Sequence, residues 1–223
     1  MIRTVAETGS TNDDVAALAR EGAPEGLWLR AERQSGGKGR QGRAWQSPPG
    51  NLHASTLVRL RPGDPAAPTL ALVAAVALHE TVKPYAPALR IKWPNDLLVD
   101  GAKLAGILLE RQGDAVIVGF GVNLAHHPKD LDRPATSLQP PVPPDEFLSR
   151  LVAAFETWLA RWRAEGLAPI RAAWLAAAHP PGTPLIAGET RGTFNGLDES
   201  GALRLRLEDG GLRVIHAGDV FLL

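Results

Sequence analysis

The stretch GGKGRQGRAW, Gly36–Trp45, can be read in two ways, and the fold depends on the choice. Gly37, Gly39 and Gly42 spell G-x-G-x-x-G. In a dinucleotide-binding turn that pattern follows a strand, and a helix opens at the last glycine to meet a pyrophosphate with its N-terminus. The strand is present, since LWLRAE (27–32) precedes the glycines. The helix is not: RAWQSPPGN (43–51) holds two adjacent prolines and several turn residues. A Walker A loop also fails, because Lys38 is followed by Gly39 and not by Ser or Thr. What remains is a glycine loop threaded by Lys38, Arg40 and Arg43, either a solvated surface loop or a cationic loop with another task.

Outward from the loop the chain alternates strands and helices. IRTVAE (2–7) reads as a strand. A helix follows, with Ser10 as N-cap, Asp13 three residues on and Gly22 as its stop. NLHASTLVRL (51–60) is strand-like. LALVAAVAL (70–78), inside an apolar segment spanning 69–83, reads as a helix buried on most sides. LRIKW (89–93) is a short strand. LLVDGAKLAGILLE (97–110) carries Asp100-Gly101, the strongest hairpin signal in the chain. AVIVGFGVNL (115–124) has the β-branched character of a central strand. Residues 125–144 form a long Pro- and Asp-rich loop. Residues 145–165 and 168–177 have helical spacing, with Phe147, Leu151, Phe155, Trp158 and Trp162 recurring at threes and fours. After HPPGTP (179–184) come four or five short strands separated by turn residues, the pattern of a small β-barrel close to the lower size limit for folding alone and expected to pack on the preceding domain.

The composition narrows the function. Lys+Arg and Asp+Glu are balanced at 24 each, so no long-range field draws the chain onto nucleic acid or an anionic membrane. Cationic chemistry must therefore be local. There is no cysteine, which excludes disulfides, thiolate metal sites and Cys nucleophiles. The N-terminus lacks a signal-peptide pattern, and the apolar run falls short of the about 20 residues needed to span a bilayer. These features predict a cytoplasmic location and no membrane contact. His79-Glu80 and His126-His127 have no metal-ligand spacing.

Five motifs occur in order: STN (10–12), QSGGKGRQGRAW (34–45), KWPND (92–96), KLAGIL (103–108) and GFGVN (119–123). Together they resemble the catalytic core of the biotin–protein ligases. The resemblance covers essentially the whole chain, in the short form without the N-terminal DNA-binding domain, since the core begins almost at Met1. It implies an α/β (α+β) fold: a mixed sheet with helices on one face, like that of class II tRNA synthetases, over 1–178, and an SH3-like β-barrel over 179–223. It implies activation of biotin by ATP and Mg²⁺ to biotinyl-5′-AMP. The biotin then passes to one lysine of a biotin carboxyl carrier protein. It also implies homodimers through the sheet edge and, in this form, no DNA partner.

The same resemblance assigns roles. Lys103 stands between the biotin carboxylate and the α-phosphate, with Arg40 and Asp96 as the other catalytic groups and Asp96 also facing Mg²⁺. Ser10, Thr11, Asn12, Gln34, Gly37, Lys38, Lys103, Gly106, Gly119 and Gly121 bind biotin. Neutral hydroxyl and amide groups suit a neutral ureido ring, and a glycine within a strand lets a ligand approach the backbone. Arg40, Arg43, Trp45, Asn95, Lys103 and Asn123 bind ATP or the adenylate. The glycine loop becomes a lid, mobile until ligand orders it. Lys38, Gln41 and Ala44 depart from the family's more cationic pattern, and Lys38 lacks the planar fork of an arginine. Lys92 supports the site or the carrier surface. The rival readings are a lipoate/octanoate–protein ligase of the same fold and a non-enzymatic biotin-sensing regulator. A cysteine-dependent octanoyltransferase is excluded by composition.

Overall fold

A computed structural model describes residues 1–130 and 133–223; part of the long loop expected over 125–144 thus lies outside the described residues. Seven strands form one sheet in the order β1-β2-β3-β7-β6-β5-β4. They are β1 (Ile2–Thr8), β2 (Trp28–Gln34), β3 (Leu52–Arg59), β4 (Leu89–Lys92), β5 (Asp96–Val99), β6 (Ala102–Gln112) and β7 (Ala115–Val122). Only β1 and β2 run parallel, joined by helix α1 (Thr11–Arg20); every other neighbour pair is antiparallel. The sheet is therefore mixed, and β7 is central, as its run of β-branched residues predicts. Asp100 (φ 50°) and Gly101 (φ 80°) both adopt left-handed backbone between β5 and β6, the geometry of a tight hairpin that Asp-Gly favours.

The helices cover both faces, not one. Along β7 the side chains alternate: Val116, Val118, Phe120 and Val122 enter the main core, while Ala115 and Ile117 join Val15, Ala16 and Ala19 of α1 in a second cluster on the other side. The main core is covered by α2 (Leu70–Val82), α3 (Pro144–Glu165) and α4 (Leu167–Ala177). Ten of the thirteen α2 residues are buried, which is why that helix has no polar face. Trp28, Phe120 and Phe155 pack at ring separations of 5.6–5.9 Å and lock α3 to the sheet. Trp158 departs from its expected place. It is only partly buried, and its indole N–H reaches Glu80, while Leu148 and Leu159 take core positions.

Five further strands form a second, antiparallel sheet in the order β11-β10-β9-β8-β12: β8 (Pro184–Ala187), β9 (Thr190–Leu197), β10 (Leu203–Arg206), β11 (Leu212–Ile215) and β12 (Val220–Leu222). Its apolar side, with Leu185, Phe194, Leu197, Leu203, Leu205 and Val220, is continuous with the main core. The Trp93 indole donates to the Gly201 carbonyl at 3.2 Å, and the Arg171 guanidinium donates to the Leu197 carbonyl at 2.8 Å. The small sheet thus borrows a core from its larger neighbour, as its size requires.

Candidate active site

The α1 face of β7 carries glycine where neighbouring positions carry bulk. Gly119 and Gly121 share the side on which Ile117 meets α1, and beyond that helix they leave space. The result is a cavity of roughly 660 Å³. A Cβ at Gly121 would come within 2.6 Å of the Trp45 indole, and one at Gly119 would run into the Asn12 side-chain oxygen. These glycines are therefore required by the close approach of the chain's own Trp45 and Asn12, where the sequence suggests the approach of a ligand.

One end of the cavity is neutral and polar. The parallel β1-α1-β2 unit brings Ser10, Thr11 and Asn12 beside Gln34. Gln34 Oε1 accepts from the Thr11 backbone N–H at 2.8 Å and from its hydroxyl at 3.0 Å. Thr11 Oγ1 lies 2.7 Å from Ser55 Oγ, Ser55 donates to Asn12 Oδ1 at 2.6 Å, and Asn12 Nδ2 donates to Glu110 at 2.7 Å. Ser10 occupies the N-cap position but makes no side-chain cap bond, so its hydroxyl is not used to start the helix. Ser55 and Glu110 have no motif of their own in the sequence. The one signal for Ser55 was a polar pair, Ser55-Thr56, inside an otherwise apolar strand.

The other end is charged. Lys103 and Gly106 are three apart on β6, and in a regular strand they would face opposite ways. The pairing shifts register between Leu97 and Leu98, leaving Leu104 as an extra residue on β6. Leu104 and Ala105 both turn into the main core, so Lys103 and Gly106 both face the cavity. Residues 134–136 grip the Lys103 backbone: its N–H donates to the Pro134 carbonyl at 2.9 Å, and its carbonyl accepts from Thr136 at 3.0 Å. Lys103 Nζ lies 2.6 Å from Asp96 Oδ1 and 5.5 Å from the centre of the Trp45 ring. Lys92 Nζ holds the other Asp96 oxygen at 2.8 Å. Burial pushes the Asp96 carboxyl up, but the two ammonium groups outweigh burial and hold it below the ordinary aspartate value. Among the described residues no group of three or more His, Cys, Asp or Glu could hold a metal ion.

The glycine loop is folded over the mouth as a small hairpin, with Lys38 bridged to Ala44 and the Trp45 N–H donating to the Gly37 carbonyl at 2.9 Å. Gln41 (φ 57°) and Gly42 (φ 71°) form the tip. Gly37 is absent from the cavity wall; it is glycine because a Cβ would lie 2.6 Å from Ser47 Oγ and from the Trp45 carbonyl oxygen. Lys38 pairs with Asp13 at 2.6 Å, at the exposed start of α1. Arg40 and Arg43 turn to the C-terminal sheet and meet Asp219. The two asparagines hold backbone: Asn95 Nδ2 donates to the Ile107 carbonyl at 2.6 Å, and Asn123 Nδ2 to the Thr136 carbonyl at 3.1 Å. Every other residue expected in the site lines the cavity, as do Lys92, Arg133, Asp219 and Phe221.

A neutral hydrogen-bonding end, a strand carrying Gly119 and Gly121 and a cationic end under the glycine-loop hairpin suit a molecule with an uncharged polar ring at one end and an anion at the other. Comparison with known proteins gives the same picture. Residues 8–123 match the biotin/lipoate A/B protein ligase family, and residues 185–223 the biotin protein ligase C-terminal domain. The chain is 43% identical to a biotin–[acetyl-CoA-carboxylase] ligase of Paracoccus denitrificans, over 97% of this chain and 98% of that one. It is 34% identical to the bifunctional ligase/repressor BirA of Bacillus subtilis, over 96% of this chain and 71% of the relative. In fold it resembles biotin protein ligase from Aquifex aeolicus in complex with biotin and ATP, with TM-score 0.87 and 24% identity, across 100% of this chain and 99% of that one. The Leishmania major enzyme in complex with biotinyl-5-AMP superposes at TM-score 0.69 with 26% identity, across 97% of this chain and 98% of that one. With motifs, site and both halves of the chain in agreement, this protein belongs to the biotin protein ligase family.

Proposed function

We propose that the protein is an ATP-dependent biotin–protein ligase. The observation that carries the reading is Lys103, held by Asp96 at the junction of the neutral and cationic ends of one cavity. The biotin carboxylate attacks the α-phosphorus of ATP and pyrophosphate leaves, giving biotinyl-5′-AMP. The ε-amine of a carrier lysine then attacks the acyl carbon and AMP leaves. The first step brings two anions together, and fixed cations lower its barrier more than they stabilise the separated substrates.

Lys103 sits where the carboxylate and α-phosphate meet, and Arg40 and Arg43 face the remaining phosphates. Ser10, Thr11, Asn12 and Gln34 receive the ureido ring, with the buried Ser55 hydroxyl bracing Thr11 and Asn12 from behind. Asp96 accepts the proton of the incoming carrier ammonium once Lys103 turns to the ligand. Trp45 walls the nucleotide. Mg²⁺ is expected to travel on the triphosphate, as that ion commonly does. The carrier is the biotin domain of a carboxylase subunit. The division into units 1–178 and 179–223, the homodimer through the sheet edge, the cytoplasmic setting and the absence of a DNA partner belong to the same reading. Among the described residues no helix is long and apolar enough to cross a membrane.

Mass spectrometry of the chain incubated with biotin, MgATP and a carrier domain tests the proposal. A gain of one biotinyl group on one carrier lysine supports it. Biotin-independent ATP–pyrophosphate exchange, or preferential transfer of lipoate, overturns it.

A further inference from the structure

The lid arginines are not free in solvent. Arg43 Nη2 lies 3.0 Å from Asp219 Oδ1, and Arg40 Nη1 lies 3.6 Å from the same oxygen. Arg40 Nη2 also donates to the Gly218 carbonyl at 3.1 Å. One residue further along, Lys92 Nζ donates to the Val220 carbonyl at 2.9 Å; one more, and the Arg133 guanidinium lies 3.4 Å over the Phe221 ring. Four cations from three separated parts of the catalytic half thus converge on four consecutive residues entering β12. Asp219 alone among those four has a charged side chain.

The tip of the lid explains why a carboxylate is needed there. The left-handed turn at Gln41 and Gly42 brings Arg40 and Arg43 to the same side, and the Arg43 Nε–H donates back to the Arg40 carbonyl at 3.2 Å. Two guanidiniums held together near Lys92 and Lys103 repel each other, and a loop this rich in glycine yields to that force. Asp219 is 19% exposed and Arg40 24%, so their attraction is less screened than that of an open surface pair.

We infer that Asp219, on the C-terminal sheet, is a positioning residue for adenylation: it holds Arg40 and Arg43 over the cavity so that both guanidiniums already face the place where the phosphates of ATP arrive. It touches no reacting atom and acts only through the two arginines. The C-terminal sheet is then part of the nucleotide half of the site, and the neutral ring-binding end is independent of it. The inference rests on the ligase reading.

The test is biotin-dependent ATP–pyrophosphate exchange by the full chain and its Asp219→Asn variant, which keeps the shape and removes the charge. The KM for ATP should rise about fivefold, the scale of one partly shielded ion pair. kcat at saturating ATP and the Kd for biotin should stay within about twofold, because Asp219 meets neither the reacting atoms nor the ring end. Asp219→Glu should restore most of the ATP affinity. In an Arg40→Gln, Arg43→Gln background, Asp219→Asn should add almost nothing, because the groups it positions are gone. An unchanged KM for ATP overturns the inference. Equal losses in ATP affinity, biotin affinity and kcat, or failure of Asp219→Asn to fold, would make Asp219 a staple between the sheets and overturn it as well. If the wild-type chain itself shows no biotin-dependent exchange, the ligase reading falls; exchange by the wild type with an identical variant removes only the role of Asp219.

Discussion

Replacing Asp96 by Asn removes the middle charge of a three-residue group without changing its shape. The carboxylate lies between Lys92 Nζ at 2.8 Å and Lys103 Nζ at 2.6 Å, with 12% of its side chain exposed. Breaking a buried pair costs about 3–5 kcal/mol, because the partner stays charged and uncompensated. Lys92 is just as buried, but it keeps the Val220 carbonyl. Lys103 is 36% exposed and can turn to water, so its share is that of a surface pair, below ~1 kcal/mol. The expected loss is roughly 2–3 kcal/mol at pH 7, or about 1 M in urea midpoint. Acid gives a second reading. The folded Asp96 carboxyl is held below its unfolded value of 3.8, so its contribution is complete above that pH and is lost as pH falls through the lower folded value. The gap between wild type and Asp96→Asn should be constant from about pH 7 to about pH 5 and should close on further acidification. In single-turnover assays, transfer from preformed biotinyl-adenylate to carrier should fall at least as far as adenylation does. Equal urea midpoints at pH 7, or a stability gap that widens in acid, would refute the reading of Asp96 as the shared counter-ion. Unchanged transfer would leave it a structural role only.

Other substitutions separate the remaining parts. Lys103→Gln should lower biotin-dependent exchange by roughly 100-fold, about 3 kcal/mol of transition-state stabilisation, and still give a folded protein; exchange within a few-fold of wild type rules out its assigned role. Gly119→Ala places a Cβ against the Asn12 side chain, which links Ser55 to Glu110, and should weaken biotin binding about 10-fold or more by calorimetry. An unaltered biotin Kd in a folded Gly119→Ala variant would show that the ring does not use this end of the cavity. Glu25→Gln should leave exchange intact but lower stability by roughly 2 kcal/mol, after allowance for screening. Arg163 holds the Glu25 carboxyl near 2, against 4.5 ordinarily, so the loss should be present above pH 4.5 and vanish as pH falls towards 2; acid-independent destabilisation would contradict this.

The strands and helices were legible because each burial period is clean. The continuous β-branched apolar run in AVIVGFGVNL, the Asp-Gly hairpin and the all-round apolar α2 each admit one reading. Helices on both faces were not legible. The choice turns on which side of β7 receives Val15, Ala16 and Ala19, and α1 is too short to announce its partner. The motif residues came together because backbone neighbours carry them. Asp219 and Glu110 stayed hidden for the opposite reason: each is an ordinary charge in an unremarkable stretch, and only the packing of distant segments brings it to the site. The bulge at Leu104 was hidden too, since a register shift leaves no mark in the order of residues. Asn95 and Asn123 line the cavity as their motifs suggest, but what the order of residues did not show is that their Nδ2 groups also hold the Ile107 and Thr136 carbonyls.

The pairing of the cavity's cations has a consequence for encounter rates. Of the six basic side chains that line it, five already have a carboxylate partner: Lys38 with Asp13, Arg40 and Arg43 with Asp219, and Lys92 and Lys103 with Asp96. The formal charge of the whole chain is also zero. Those five cations share only three carboxylates, so with Arg133 the cavity keeps three positive charges in excess, and a polyanion within a Debye length, about 8 Å in physiological salt, meets a local attractive field. Its capture is steered over that short range only, since the chain as a whole carries no net charge, and its association rate should fall as ionic strength rises. Attraction strengthens on contact, as phosphates share partners with the aspartates. Differences in nucleotide affinity among variants should then appear in how slowly the ligand leaves rather than in how quickly it arrives.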